Sequence, residues 1–234
     1  MNGLIYVLLA LIVLLSTACE QNIKTALQEY SFLTEDSIRL VGTLNRPLEA
    51  TKSPLIILVH GSGNDSRENE YYQLLVKEFC NIGYSVFIYD KRGCNASTGN
   101  WLTVPFYYLK DDVLTIVKEF DKDTTITKIG LWGGSEGSNV AVWAASESSD
   151  IDFVIAQSFT AMTFAEQNKF VKQTRMRNYP NTSEQKIKEL LDLQDLLYEY
   201  VRTGNNYDKY ISAFNNLRNE PWFSDVLNQP VTEN

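Results

Sequence analysis

The sequence predicts an α/β fold built on a mostly parallel β-sheet, and three observations carry this prediction. Short aliphatic runs recur at residues 55–59, 84–89, 126–132 and 151–156. Continuous aliphatic runs of this length are typical of strands that are buried on both faces. Segments with the apolar spacing of amphipathic helices separate the runs, and the connections between them are short. This alternation favours parallel strands with helices packed on both faces of the sheet.

The start of the sheet departs from this alternation. Residues 30–33 and 38–44 flank a polar turn at 34–37, which predicts an antiparallel hairpin. Further along the chain, apolar side chains recur every three or four residues between the strands, as in amphipathic helices. The helices predicted in this way cover residues 72–79, 113–120 and 136–146.

Beyond residue 158 the pattern becomes helical only. A helix start of the capping-box type is formed by Thr182, Ser183, Glu184 and Gln185, and an apolar stripe follows until Gly204. One more helix is predicted from Tyr207 onwards. The predicted organisation is an incomplete α/β core at 20–158, a helical cap at 159–228 and a tail at 229–234.

The N-terminus predicts export. Residues 4–15 form an uncharged apolar run of signal-peptide length, which is short for a membrane-spanning helix. Three small residues follow, and then Cys19. This tract resembles the bacterial lipobox, although Ser16 stands where that pattern favours an aliphatic residue. We expect residues 1–19 to be a signal peptide with lipidation at Cys19, which would attach the protein to the membrane at the periplasm or outer membrane. Plain secretion and an uncleaved anchor are the alternatives.

Composition restricts the classes of function. The chain has a net charge of −8 and a pI near 4.8, and its basic residues form no stripe, so nucleic-acid binding is not expected. No His/Cys cluster suggests a metal, and no motif suggests a cofactor. Besides Cys19 the chain has Cys80 and Cys94. A whole predicted strand, about 20 Å long, separates these two, so we expect both to be unpaired.

Three predicted strands end in residues that can carry chemistry. The motifs at these ends are His60-Gly61-Ser62-Gly63, Asp90-Lys91-Arg92-Gly93 and Gly133-Gly134-Ser135-Glu136-Gly137. The carboxyl ends of parallel strands lie at one edge of the sheet, where ligands bind. The third motif is a Gly-x-Ser-x-Gly turn between a strand and a helix, which holds the serine hydroxyl above the sheet. Ser135 is therefore the candidate nucleophile.

With the His-Gly loop upstream of this turn, residues 30–228 resemble the α/β-hydrolase superfamily, closest to its dienelactone-hydrolase and prolyl-oligopeptidase-like esterases and peptidases. The resemblance implies hydrolysis of a small ester or peptide substrate through an acyl-enzyme on Ser135. It implies that the backbone amides of Ser62 and Glu136 form the oxyanion hole. The residues expected to shape the surrounding loops are His60, Gly61, Gly133 and Gly137.

The same resemblance shows what the sequence lacks. It implies an orienting aspartate and a histidine base after the cap, whereas no histidine follows Ser135. The one histidine, His60, belongs to the oxyanion loop in the family pattern. We therefore expect a C-terminally truncated member without the last strands and with little or no activity of its own. The alternative is a non-catalytic cell-envelope binding protein that retains the hydrolase fold.

Some neighbours of the site have more ordinary interpretations. Asp90 and Arg92 are expected to be structural, as an ion pair that steadies the loop. Trp101 and the aromatic residues 106–108 could line an acyl pocket or simply pack. The strand at 151–156 would be an unpaired apolar edge in a truncated chain, which predicts poor solubility.

Overall fold

A computed structural model describes residues 24–178 and 182–223. The predicted signal peptide, the lipidation site at Cys19 and the tail lie outside the described residues. The chain divides after Phe159 into two compact units, an α/β unit and a helical unit.

The α/β unit contains a six-stranded sheet in the order β1-β2-β4-β3-β5-β6. β3, β4, β5 and β6 are parallel to one another, whereas β2 is antiparallel to both β1 and β4. The fold class predicted from the sequence is thus confirmed, including the N-terminal hairpin. The strands are β1 (Thr25–Leu33), β2 (Arg39–Pro47), β3 (Ser53–Val59), β4 (Ser85–Tyr89), β5 (Ile126–Gly134) and β6 (Phe153–Gln157).

Three helices cover the two faces of this sheet: α1 (Glu70–Asn81), α2 (Phe106–Phe120) and α3 (Glu136–Glu147). Alternate side chains of β3 pack on the two faces of the sheet, because successive side chains of a strand point to opposite faces. Leu55 and Ile57 join the core cluster that includes residues of α2 and α3, whereas Ile56 and Leu58 join the cluster that includes α1. Burial on both faces explains the continuous aliphatic runs.

Two boundaries differ from the sequence prediction. β5 continues to Gly134, directly before Ser135, because Gly133 and Gly134 still pair with β6. α2 begins at Phe106 after Pro105, well before the first apolar residue of the predicted stripe. Proline before a helix fixes the entry of the chain without requiring a donor from its nitrogen.

The helical unit contains α4 (Phe164–Arg177), α5 (Glu184–Thr203) and α6 (Tyr207–Leu217). The predicted start of α5 is present, with Ser183 accepting from the Lys186 amide, and Gly204 ends the helix at φ 73°. The full capping box occurs instead at α4, where Thr163 and Glu166 bond each other's backbone amides. This unit has its own apolar cluster, formed by Met176, Ile187, Leu190, Leu193, Leu217 and Phe223.

Cys80 and Cys94 are both buried and free, so the prediction of unpaired cysteines is confirmed. Burial raises the pKa of the Cys80 thiol to about 11, which keeps it protonated and unreactive at neutral pH. In the part of the chain that the structure describes, none of the helices has the length and apolar character needed to cross a membrane.

Candidate active site

Ser135 lies at the sharp turn between β5 and α3. Its backbone adopts φ 52° and ψ −120°, a strained conformation for a residue with a side chain. Such strain persists only where the surroundings hold it, and here the Ser135 amide donates to the Gln157 carbonyl of β6 over 2.9 Å. The turn leaves Ser135 exposed at the carboxyl end of the sheet. This is the position that a serine nucleophile needs.

Gly133 and Gly137 allow backbones to approach more closely than any side chain would permit. A Cβ at Gly133 would overlap the Gly137 carbonyl, and a Cβ at Gly137 would overlap the carbonyls of Val59 and His60. Neither glycine has a positive φ. The motif therefore requires them for packing: they bring α3 against the end of β3, which leads directly into the His-Gly loop.

The loop after β3 brings Gly61, the residue before Ser62, close to the turn. A Cβ at Gly61 would lie 4.0 Å from the Ser135 Cβ and 3.4 Å from the Gly134 carbonyl oxygen. The Gly61 amide donates to the Tyr72 hydroxyl over 2.9 Å. Ser62 is exposed, and no described residue accepts from its N–H. Two amides on the segments that flank Ser135 are thus open to a ligand: that of Ser62, and that of Glu136, the first residue of α3.

His60 is buried beneath this loop. Its Nε2 is bonded to the Tyr89 carbonyl, so the neutral ring donates from that nitrogen, and its ring packs edge-on against Tyr72 with centroids 4.5 Å apart. Nδ1 has no partner among the described residues. Burial lowers the pKa of the imidazole, which is neutral at pH 7. His60 therefore supports the loop from within the core, and the sequence holds no other histidine.

A model of one protein family, described as serine aminopeptidase, S33, matches residues 50–194. The chain belongs to the serine aminopeptidase S33 family. This assignment confirms the predicted α/β-hydrolase superfamily. The finer placement in the dienelactone-hydrolase and prolyl-oligopeptidase-like branch stays a prediction. No curated protein matches the chain.

Several solved structures share the fold of this S33 family member. The esterase Pf2001 of Pyrococcus furiosus has a TM-score of 0.55 at 22% identity, over 69% of this chain and 62% of that one. The α/β-hydrolase GrgF of Penicillium has a TM-score of 0.50 at 19% identity, over 81% of this chain and 75% of that one. Est1E of Butyrivibrio proteoclasticus, solved with ferulic acid, has a TM-score of 0.50 at 24% identity, over 53% and 51%. The chain thus spans less than two thirds of the Pyrococcus and Butyrivibrio esterases.

Two side chains that no sequence motif assigns a role contact the loop beside Ser135 in this S33 family member. The Lys91 ammonium donates to the Gly61 carbonyl over 2.9 Å and to Glu136 Oε1 over 2.7 Å. Tyr72 accepts from the Gly61 amide, and its burial raises the pKa of the phenol to about 12, so it remains a neutral hydroxyl. Lys91 lies within one of the strand-end motifs, which was the available signal. Tyr72 looked like an ordinary apolar position of α1.

The predicted ion pair between Asp90 and Arg92 is wrong. Arg92 pairs with Asp112 of α2 over 2.6 Å and with Asp36 of the β1–β2 turn over 2.5 Å. Asp90 instead accepts from the backbone amides of Arg67 and Ala96. Both residues lie in the loop that follows the end of β4 at Tyr89, so the alternation of strand side chains does not orient them towards each other. Both residues are structural, as expected, but they secure different segments.

The aromatic residues considered for an acyl pocket mostly have packing partners. Phe106 stacks on Trp143 with centroids 5.8 Å apart, and the Tyr108 ring lies 5.0 Å from the Arg92 guanidinium carbon. Tyr107 is exposed and contacts Tyr108. In the two described ranges, no group of three or more His, Cys, Asp and Glu residues could hold a metal ion.

Proposed function

We propose that this protein is a serine hydrolase that acts on the ester or amide bonds of small molecules through an acyl-enzyme on Ser135. The observation that carries the proposal is the strained turn at Ser135, with the loop at Gly61 packed against it and the open amides of Ser62 and Glu136 on the two flanking segments. Membership of the serine aminopeptidase family and the esterases among the structural neighbours support hydrolysis of carboxylic acid derivatives.

The proposed reaction begins with attack of the Ser135 Oγ on the substrate carbonyl carbon. The new C–O bond moves an electron pair onto the carbonyl oxygen, and the amides of Ser62 and Glu136 stabilise this oxyanion. Collapse expels the alcohol or amine and leaves the acyl group on Ser135, from which water releases it. The position of Ser135 at the N-terminus of α3 further favours the developing negative charge.

Proton transfer limits this reaction in the chain taken alone. Ser135 has to lose its proton as it attacks, and His60 is engaged with the Tyr89 carbonyl beneath the loop. Removal of the base of a catalytic triad costs several orders of magnitude in rate and leaves slow residual turnover. We therefore propose that this chain by itself reacts once with activated electrophiles but turns substrates over slowly or not at all.

A fluorophosphonate probe followed by intact-mass and peptide analysis tests this proposal. We expect one adduct, located on Ser135, in the wild-type protein and in Ser146→Ala, which removes a serine at the exposed end of the same helix. Ser135→Ala should remain unmodified. An adduct on a different residue would overturn the assignment of the nucleophile.

A second candidate is a non-catalytic cell-envelope binding protein that uses the same site for a carbonyl ligand. The burial of the one histidine under the loop favours it, because nothing else in the sequence offers a histidine base. A well-folded protein that resists the fluorophosphonate but gains thermal stability from a small carboxylic ester would support this candidate over the first.

We further propose that the protein is exported and lipid-anchored through Cys19 at the bacterial cell envelope. The apolar run at residues 4–15 and the small residues before Cys19 support this. Expression in a bacterial host with an alkynyl fatty acid should label the wild-type protein, whereas Cys19→Ser should stay unlabelled. Labelling of both proteins, or of neither, would contradict the proposal.

A further inference from the structure

Lys91 is a buried cation whose partners both belong to the segments that carry the candidate oxyanion donors. Its side chain is 6% exposed, and it lies shortly after β4. Its ammonium donates to the Gly61 carbonyl and to the Glu136 carboxylate, 2.9 Å and 2.7 Å away. Other buried basic residues of this unit bond to carboxylates on its outer elements: Arg92 to Asp112 and Lys110 to Glu147.

The bond to Gly61 determines where the Ser62 amide points. The Gly61 carbonyl and the Ser62 N–H belong to the same peptide group, which is planar and trans, so they point in opposite directions. An ammonium that holds the carbonyl on one side therefore directs the N–H to the other side. Drawing electron density to the carbonyl oxygen also makes the N–H a stronger donor, because hydrogen bonds in a chain polarise one another.

The bond to Glu136 secures the second donor. Glu136 is the first residue of α3, and its amide has no acceptor within the helix. Its side chain is 21% exposed, and its carboxylate meets the same ammonium that holds Gly61. One charge thus fixes the distance between the loop after β3 and the start of α3. The third connection in this group, from the Gly61 amide to Tyr72, restrains the preceding peptide.

We propose that Lys91 is a positioning residue that aligns the Ser62 and Glu136 amides as a pair of oxyanion donors. Lys91 acts as a charged donor that stays with its two partners, so it takes no proton from Ser135. The proposal rests on the proposed function for its kinetic consequence. Its structural consequence, the ordering of the Ser62 amide, holds whether or not the protein hydrolyses anything.

The test compares Lys91→Met, which keeps an unbranched side chain of similar length without its charge or donors, with the matched variant Lys110→Met. Lys110 is also largely buried and also bridges to a carboxylate, but it contacts α3 away from the loop. Hydrogen exchange measured by NMR reports each amide separately. In Lys91→Met we expect exchange at Gly61, whose amide is bonded to Tyr72, to accelerate at least about tenfold while the core strands stay protected, and no such change in Lys110→Met.

The second readout is the rate at which fluorophosphonate labels Ser135. We expect a loss of about 100-fold in Lys91→Met, the low end of the effect of removing one oxyanion donor, and less than about twofold in Lys110→Met. If the wild-type protein is not labelled, the proposed function fails and the exchange measurement still decides the role of Lys91. Unchanged exchange at Gly61 in folded Lys91→Met would overturn the inference.

Should Lys91→Met fail to fold, Glu136→Gln takes its place. This substitution removes the charge that holds the ammonium while leaving the helix start and its amide intact. We expect exchange at Gly61 to accelerate about threefold, because the contact between Lys91 and the Gly61 carbonyl loosens but is not lost. Unchanged exchange at Gly61 in Glu136→Gln would contradict the proposal.

Discussion

The two outer strands of the described sheet, β1 and β6, differ in the kind of side chain that they expose to solvent. β1 exposes polar side chains such as those of Gln28 and Glu29, and Glu29 pairs with Arg67 over 2.9 Å. Its inward-facing Phe32 packs against Phe87 and Phe120 of the core. β6 has the sequence Phe-Val-Ile-Ala-Gln, and its last three residues are exposed. Ile155 alone is 40% exposed.

The difference in exposed side chains indicates that β1 has the composition of an edge strand and β6 does not. Charged and polar side chains on an outer strand discourage pairing with other chains, and β1 has them. An apolar run without charges is typical of a strand buried on both faces, and β6 has that composition. The candidate site lies nearer the less protected strand, because β6 provides the carbonyl of Gln157 that holds the Ser135 amide. The turn at Ser135 is therefore held in part by a strand end that is exposed.

Of the substitutions considered, we expect the one at Asp112, on the β1 side of the sheet, to lower the stability of the fold most. Burial raises the pKa of this carboxyl to about 6, so at pH 8 it is ionised and paired with buried Arg92. Asp112→Ala leaves the guanidinium with Asp36 alone, and we expect the free energy of unfolding at pH 8 to fall by about 3 kcal/mol. Urea unfolding measures this loss.

The control for Asp112 is its neighbour on α2. Asp111→Ala removes an exposed carboxylate that pairs with Lys110, and we expect a loss below about 1 kcal/mol. Equal losses for the two variants would show that the Arg92 network does not secure this end of the sheet.

Substitutions of Gly137 and Gly61, which lie between the two edges, should distinguish an effect on packing from an effect on the reactivity of Ser135. Gly137→Ala places a methyl group onto the carbonyls of Val59 and His60, and we expect it to cost about 1–3 kcal/mol of unfolding free energy. Gly61→Ala has no backbone atom closer than 3.4 Å, so its stability should change by less than about 1 kcal/mol. Its methyl group faces Ser135, however, so fluorophosphonate labelling should slow. Wild-type stability in Gly137→Ala would contradict the close packing of α3 on β3.

His60 predicts a pH dependence of stability. Its pKa is lowered in the folded protein and near 6.5 in the unfolded chain, so below that pH only the unfolded chain binds the proton. The free energy of unfolding should therefore decrease as the pH falls from 7 to 5, by at most about 1.4 kcal/mol per pH unit. Asp112 acts in the opposite direction, because its raised pKa makes the folded state bind a proton in the acidic part of this window.

The difference between wild type and His60→Gln isolates the contribution of the imidazole. The amide side chain of this variant can still donate to the Tyr89 carbonyl but has no proton to gain, so we expect its stability relative to wild type to improve as the pH falls. Urea unfolding at several pH values measures this difference. Parallel pH profiles would mean that the folded loop accepts a charged imidazole.

The smallest effect on stability, and the most direct test of the edge comparison, is expected at β6. Ile155→Lys replaces an exposed apolar side chain, so unfolding free energy should change by less than about 0.5 kcal/mol. Self-association in sedimentation velocity should nevertheless decrease, because a charge on the edge opposes strand pairing. Leu27→Lys, at a 68% exposed position of β1, should leave association unchanged. Equal effects at both positions would remove the distinction between the two edges.

Much of the fold followed from sequence periodicity because its physical causes are local. Burial on both faces produced the aliphatic runs of β3, β4 and β5, and glycine and serine marked the turn at Ser135. The Arg92 partners could not be predicted, because Asp36 and Asp112 are distant in sequence and only the fold brings them together. The start of α2 was missed because its first turn is aromatic and shows no apolar stripe.

The sequence predicts a candidate nucleophile and candidate oxyanion donors, which stay predictions, but it gives no sign of the side chains that support the loop. Ser135, Ser62 and Glu136 belong to motifs that the chain order alone reveals. Lys91 and Tyr72 act on the loop through single hydrogen bonds whose geometry depends on how α1 and β4 pack. Sequence periodicity cannot predict such a contact, because a single lysine or tyrosine does not change the spacing of apolar residues.

The buried imidazole has a practical consequence. As the one histidine of the chain, His60 gives a single pair of ring signals in a nitrogen NMR spectrum, and its Nε2 tautomer is set by the Tyr89 carbonyl. Those signals form a built-in reporter of whether the loop that presents Ser62 is seated on the sheet. Purification without a polyhistidine tag would keep that reporter free of background, so ligand binding beside Ser135 could be followed from beneath the site.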